Sequence, residues 1–351
     1  MPRFLTGLAL PGNPEPMTKA FVSGCAGPNL SQDETAFFKE ADPWGLILFA
    51  RNVESPEQLK KLTSDFRHAV GRQNAPVLVD QEGGRVQRLK PPHWPKYPAP
   101  RLYGDLFGDS PERGLRAARL GAQLIALDLF DVGITIDCLP CLDVHFKETV
   151  DAIGDRAMSG DPKIVTALGQ AMVEGALAGG VLPVIKHIPG HGRAQVDSHL
   201  ELPRVSADLS ELKSVDFQPF KALSQVSLGM TAHIVYEAID PETAGTQSAP
   251  VIREIIRSEI GFDGCLMSDD ISMNALGGDF VERSRKIVEA GCDIVLHCNG
   301  DMDEMKAVAE AVPTLGGEAE RRCAAALEGW REPEAGFDKK AGLEEFQALT
   351  G

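Results

Sequence analysis

The chain has 351 residues, 43% of them hydrophobic and 25% charged, enough to bury a large core. Its 35 basic against 51 acidic residues give a net charge of -16, which repels phosphate backbones and anionic lipid and so argues against nucleic-acid and membrane partners. Seven cysteines, an odd number placed mostly inside apolar runs, fit a reducing cytoplasm rather than a disulfide scaffold.

At the N-terminus, the brief apolar stretch from Phe4 to Leu10 is ended by Pro11 and carries no small-residue cleavage site, so it reads as neither a signal peptide nor a membrane span. The pattern of a folded domain begins only after Met17, which makes 1–16 an extension and Met17 a candidate start. Short apolar runs then recur at 20–25, 45–50, 76–80, 134–143, 181–186, 228–235, 264–268 and 292–298, each reading as a buried strand. Between them, segments such as 59–70, 115–129, 163–178 and 280–290 repeat apolar residues at spacings of three and four, the period of an amphipathic helix.

Eight strand–helix units predict an α/β fold, a single (β/α)8 TIM-type barrel over 17–335, with a charged, poorly patterned tail at 336–351. A doubly wound open sheet is disfavoured because no Gly-rich phosphate loop follows the first strand. A barrel carries its site at the C-terminal ends of its strands, and polar residues fall there. Asp80 ends the third strand, Lys186 and His187 the fifth, His233 the sixth, and Asp269 with Asp270 the seventh.

The densest stretch is KHIPGHGRAQVDSH at 186–199. Pro189 and Gly190 stop any helix, so Ile188 to about Pro203 reads as a loop carrying His191, Asp197 and His199. Three chemistries compete for it. Metal-assisted hydrolysis draws on the i,i+4 spacing of His187 and His191, but that spacing needs a helix to face one ion, which leaves only a loop-held metal. Acyl transfer would use Ser198 between Asp197 and His199, although sequence neighbours rarely meet as a triad and no nucleophile elbow is present. Glycoside hydrolysis needs a carboxylate on one side of the anomeric carbon and a proton donor on the other, and Asp269 with His199 supplies both.

Blander readings exist for single residues. Asp80 and Arg88 alone make an ion pair across a turn, Arg156 caps a loop carbonyl, and His233 is a hydrogen-bonded histidine beneath the site. Asp270 orients backbone, and His297 with Cys298 packs. Cys138 and Cys141, a C-x-x-C placed on a strand, are buried structural thiols, with no second pair at zinc spacing.

Taken together, the 186–199 string resembles the signature loop of the bacterial β-N-acetylhexosaminidases of glycoside hydrolase family 3. GLILFARN (45–52), DQEGGRVQRL (80–89), AIGDRAMSGDP (152–162), MTAHIVY (230–236) and GFDGCLMSDDISM (261–273) resemble further family segments in the family's order, covering roughly residues 20 to 300. The departures are Ile188 in place of an aromatic, Cys265-Leu266-Met267 before the SDD, and Asn274 where many relatives carry an acid.

The resemblance implies an exo-acting, retaining β-N-acetylhexosaminidase. It would remove terminal non-reducing N-acetylglucosamine from cell-wall muropeptides, the GlcNAc-1,6-anhydro-MurNAc peptides of peptidoglycan recycling, in the cytoplasm and without a cofactor or metal. It makes Asp269 the nucleophile, His199 the acid/base with Asp197 as its partner, and Asp80, Arg88, Arg156, Lys186 and His187 the sugar-binding set. Placing the acid on a loop suggests closure over bound sugar. A β-glucosidase or an N-acetylglucosaminide phosphorylase of the same family are the alternatives. Intact Asp269 and His199 disfavour a non-catalytic sugar-binding protein.

Overall fold

The computed structural model describes residues 18–198 and 201–351. The expected N-terminal extension, the candidate start at Met17 and the acid/base candidate His199 lie outside the described residues.

Eight strands form a closed barrel: β1 (Lys19–Ser23), β2 (Pro43–Leu48), β3 (Val77–Val79), β4 (Ile136–Asp137), β5 (Leu182–Ile188), β6 (Leu228–Thr231), β7 (Cys265–Asp270) and β8 (Ile294–His297). They follow one another in chain order, every neighbouring pair is parallel, and β8 closes onto β1 through Val22 and Leu296. The chain also folds into helices α1 (Gln32–Ala41), α2 (Pro56–Val70), α3 (Arg101–Asp109), α4 (Pro111–Phe130), α5 (Pro162–Ala178), α6 (Leu209–Ser214) and α7 (Gln218–Ala222). A π-helical segment Val251–Glu259 precedes α8 (Phe280–Ala290), α9 (Met302–Ala311), α10 (Gly317–Glu328) and α11 (Lys339–Thr350).

Local chemistry sets the helix ends. Ser55, Ser110 and Asp161 each accept a hydrogen bond from the first turn of α2, α4 and α5, and each of those helices opens with proline. Such caps satisfy donors that the helix itself leaves orphaned, and proline at the first position loses nothing there.

Strand alternation then sorts the core into two layers. Val22, Ile47, Leu78, Ile136, Val184, Met230, Met267 and Leu296 belong to one buried cluster that fills the barrel. Their neighbours Phe21, Leu46, Val77, Ile185, Leu266 and Val295 belong to a second cluster shared with the helices. Each such side chain, fully buried, contributes about 1.5–3 kcal/mol relative to exposure.

Two expectations of detail are corrected. The strand expected to carry Cys138 and Cys141 ends at Asp137, because Pro140 has no N–H to extend a ladder. Beyond it the chain keeps a backbone bond from Cys138 to Val79 and an isolated bridge from Cys141 to Lys186. The poorly patterned tail contains α11, whose Phe346 is buried against Tyr97 and Tyr103, while Arg113 bonds the carbonyl of Leu349 at 2.8 Å. Leu343, Phe346 and Leu349 carry the three-residue spacing that marks this face.

Candidate active site

The C-terminal mouth of the barrel gathers charges from β3, the segment after β4, β5 and β7. β3 delivers Asp80, and the chain then turns at once through Gly83 and Gly84, both at positive φ. A Cβ on Gly83 would strike the carbonyl oxygen of Pro98, and one on Gly84 would stand 2.7 Å from the Ala99 side chain. Only glycine fits this close approach. The turn is pinned by Gln81, whose side-chain oxygen accepts from the backbone N–H of Arg88 at 2.7 Å and of Leu89 at 3.0 Å. Glu82 and Arg88 are thereby fixed beside Asp80.

β5 sends Lys186 into the same place. Its ammonium contacts Asp80 Oδ1 at 2.7 Å and Glu82 Oε1 at 2.6 Å. Arg156, on the 3₁₀ turn Gly154–Arg156, forks onto Glu82 with Nε and a terminal nitrogen at 2.9 and 2.8 Å. Arg88 reaches Asp80 Oδ2 at 3.4 Å and also lies over the ring of Phe49, while its buried Nε has no protein partner. Arg88, Asp80, Lys186, Glu82 and Arg156 therefore alternate in sign along one continuous chain.

Those contacts decide the charges. Burial opposes ionisation of Asp80 and Glu82, but Lys186 and Arg88 hold the Asp80 carboxyl well below the usual range. Arg156 and Lys186 likewise bring Glu82 down to about 2. Burial equally opposes the ammonium of Lys186, and Asp80 with Glu82 overcome it, so that its pKa rises. All three groups stay ionised in the range where proteins work.

His187 faces a separate carboxylate. Its Nδ1 lies 2.7 Å from Asp143 Oδ2, and its Nε2 lies 3.4 Å from Arg156. Arginine only donates, so Nε2 is the acceptor and the proton sits on Nδ1. Asp143 Oδ1 accepts from the backbone N–H of His191 at 2.6 Å and of His187 at 3.3 Å. The Cys141 thiol donates to Asp143 Oδ2 at 3.1 Å.

Asp269 stands on β7, buried, with Oδ1 accepting from the N–H of Asp270 at 2.8 Å. Burial opposes its charge, but His187, His233 and Lys186 together hold its carboxyl below the ordinary value. Asp270 is spent on the loop: it binds Ser272 through backbone and hydroxyl, and the N–H of Cys298. His233 is bonded at both nitrogens, to Thr246 and to the carbonyl of Asp270. His297 pairs with Glu304 at 2.9 Å.

The loop after β5 is tied at its base. Tyr236 donates to the carbonyl of Gly190, Thr149 to that of Gly192, and Arg193 binds Asp216 at 2.8 Å. Asp197 is half-buried further along, two residues before His199. The hydroxyl of Ser198 donates to Met273 Sδ at 3.7 Å, which occupies the group that acyl transfer would need. His187 and His191 do sit close, with ring centroids 5.6 Å apart.

The five expected sugar-binding residues are thus brought together, with Asp269 near enough to Lys186 to feel its charge. Two members were not singled out from the sequence. Glu82 lay in the quoted DQEGG string, two residues after Asp80, and that adjacency was its signal. Asp143 follows β4 at the same mouth as the other strand-end acids, and only its position there marks it. A cavity of about 870 Å³ lies at the opposite, N-terminal end of the barrel, lined by Thr18, Trp44, Phe130, Leu182 and Trp330, and shares no residue with this cluster.

Comparison with known proteins gives concordant results. The model of the glycosyl hydrolase family 3 N-terminal domain matches residues 17–328. A β-hexosaminidase of Alkalilimnicola ehrlichii is 40% identical over 282 residues, covering 79% of this chain and 80% of that protein. One from Nitrosomonas eutropha is 36% identical over 278 residues, 78% and 79% of the two chains. Among solved structures, NagZ from Neisseria gonorrhoeae in complex with N-trifluoroacetyl-D-glucosamine superposes with a TM-score of 0.83 at 30% identity. That match covers 95% of this chain and 96% of the other.

Proposed function

Because this chain belongs to glycosyl hydrolase family 3 and is a β-hexosaminidase of that family, we propose that it removes terminal N-acetylglucosamine from cell-wall muropeptides, with retention of configuration. The observation that carries this reading is the alternating chain Arg88–Asp80–Lys186–Glu82–Arg156 beside Asp269. Ionised groups fixed at a barrel mouth, with an Arg88 nitrogen left over, suit the dense hydroxyls of one sugar ring, which both donate and accept.

In the first step, a carboxylate oxygen of Asp269 attacks the anomeric carbon. The bond to the glycosidic oxygen breaks, and that oxygen takes a proton from the His199 imidazolium. In the second step, neutral His199 takes a proton from water as the water oxygen attacks the same carbon, releasing the Asp269 carboxylate. Asp197 steadies the imidazolium, as a carboxylate partner does in other His–Asp pairs. Two displacements at one carbon restore its configuration. An unperturbed imidazole titrates near pH 6.5, close to where both directions of transfer are needed.

Asp80, Arg88, Arg156, Lys186 and His187 hold the sugar while this happens. The enzyme is placed in the reducing cytoplasm, a reading supported by its seven buried free thiols. The test is digestion of a GlcNAc-1,6-anhydro-MurNAc peptide followed by proton NMR. Release of N-acetylglucosamine first as the β-anomer is expected. No release, or the α-anomer first, rejects the reading.

A further inference from the structure

Behind the sugar-facing cluster lie three donors that the proposed chemistry leaves unused as a set: the Cys141 thiol, the Asp143 carboxylate and Nδ1 of His187. One ligand atom from each falls within 4.8 Å of the other two, and all three residues are buried, at 2%, 0% and 5% exposure. Thiol and imidazole both point at the same Asp143 oxygen, at 3.1 and 2.7 Å. The other oxygen of Asp143 is held by the two backbone N–H groups of His187 and His191.

We propose that Cys141, Asp143 and His187 form a site for a zinc-like divalent cation whose binding shuts the sugar pocket. The donor set combines one thiolate, one imidazole and one carboxylate, a mixture that selects zinc and its softer neighbours over magnesium or calcium. Zinc holds sulfur at about 2.3 Å and nitrogen or oxygen at about 2.0–2.2 Å, so tetrahedral ligand atoms stand about 3.3–3.7 Å apart. The present contacts need to open by only about 0.5–1 Å to admit the ion, a change within reach of side-chain rotation.

Charge and protons balance. The ion replaces the thiol proton, which leaves to solvent, while the imidazole proton moves from Nδ1 to Nε2. A divalent ion with one thiolate and one carboxylate is then neutral overall. The nearest cation, Arg156, is already forked onto Glu82, which offsets its repulsion. A further donor stands close by: His191 is buried, its ring lies 5.6 Å from that of His187, and its Nδ1 has no hydrogen-bond partner.

The consequence for function follows from His187 Nε2. In the metal-free form it accepts from Arg156; with metal on Nδ1 it must carry the proton and face a guanidinium that can only donate. Arg156 and His187 are pushed apart, and the sugar contacts proposed for both are lost together. This inhibition arm rests on the reading of His187 as a sugar contact; metal binding itself does not.

The experiment uses the full chain freed of metal, with Co2+ as an optical probe and Zn2+ as an inhibitor. One equivalent of Co2+ is expected to give a thiolate-to-metal charge-transfer band in the wild type that is absent in Cys141→Val and Cys141→Ser, which keep wild-type turnover without metal. Zinc is expected to raise KM in the wild type at concentrations about tenfold or more below those needed for either variant. Zinc X-ray absorption on the wild type is expected to show a single sulfur in the first shell. No cobalt band, an equal band in the variants, or a first shell with no sulfur or two sulfurs overturns the site. A Cys141-dependent band without inhibition overturns the regulatory arm alone and points back to the reading of His187.

Discussion

Lys186 Nζ lies 2.6 Å from Glu82 Oε1, both side chains 1% exposed, and the same carboxylate oxygen contacts Arg156 at 2.8 Å. One buried acid thus bridges a buried ammonium and a partly exposed guanidinium contributed by elements far apart in the chain. Removing it takes the carboxylate from Arg156 and leaves Lys186 to Asp80 alone. Glu82→Ala is expected to cost about 3–5 kcal/mol of stability, read from urea unfolding midpoints. A loss below about 1 kcal/mol, the worth of a surface pair, would contradict this account.

The same groups set the acid limb of stability. The Glu82 carboxyl falls from 4.5 to about 2, because Arg156 and Lys186 outweigh its burial. Its folded value is depressed, so its contribution is complete above pH 4.5 and is lost as pH falls towards 2. His191 behaves in an earlier window. Burial, aided by His187, lowers it from 6.5 to about 4, so the unfolded chain takes up a proton first. Stability then declines as pH falls from 6.5 to 4, by at most about 1.4 kcal/mol per pH unit. His191→Gln is expected to flatten this window while leaving the decline below pH 4.5, as followed by thermal unfolding at fixed pH values. An unchanged slope between pH 6.5 and 4 in that variant would remove His191 as its source.

Among the described residues the Asp269 carboxylate bonds the N–H of its own chain neighbour Asp270 and is bound in no salt bridge, so Asp269→Ala is expected to keep the fold and yet to lose at least about 1000-fold in kcat. Stopped activity with an intact far-ultraviolet spectrum and melting temperature is the expected pairing. Wild-type-like turnover would end the assignment of Asp269 as nucleophile.

For His199, both steps should slow in His199→Ala, and substrates with good leaving groups should recover the first of them, since they need no proton. The ionisation in the histidine range of the kcat/KM profile should vanish in the same variant. If that ionisation persists, the acid/base lies elsewhere.

Gly83 tests the scaffold rather than the chemistry. At φ of 98°, with the Pro98 carbonyl against its α-carbon face, Gly83→Ala must move the turn that holds Glu82 and Arg88. It is expected to cost about 1–3 kcal/mol and to raise KM more than it lowers kcat, because Asp269 on β7 is untouched. Equal losses in both parameters would show that the turn supports more than substrate binding.

Much of this molecule was legible in its sequence. Short apolar runs marked the strands and spacings of three and four marked the helices, while the caps at Ser55, Ser110 and Asp161 that start three of those helices were seen only in the structure. Local rules also placed Lys186 and His187 at the C-terminal end of β5, although the strand runs on through Ile188, which the sequence had assigned to the loop. Barrel closure then followed from eight repeats of one unit, and with it the face on which Asp80, Lys186 and Asp269 would meet. What local pattern could not reveal is pairing across the mouth. Glu82 meets Arg156 and Asp143 meets His187 over separations of 74 and 44 residues. Electrostatic and hydrogen-bond partners of that kind are chosen by distance in space, which exists only once the strands have closed. The sequence by itself determined which groups stand at the strand ends; the tertiary structure decided which of them share a proton or a charge, because Coulomb attraction and hydrogen bonding act over a few ångströms and carry no memory of chain order.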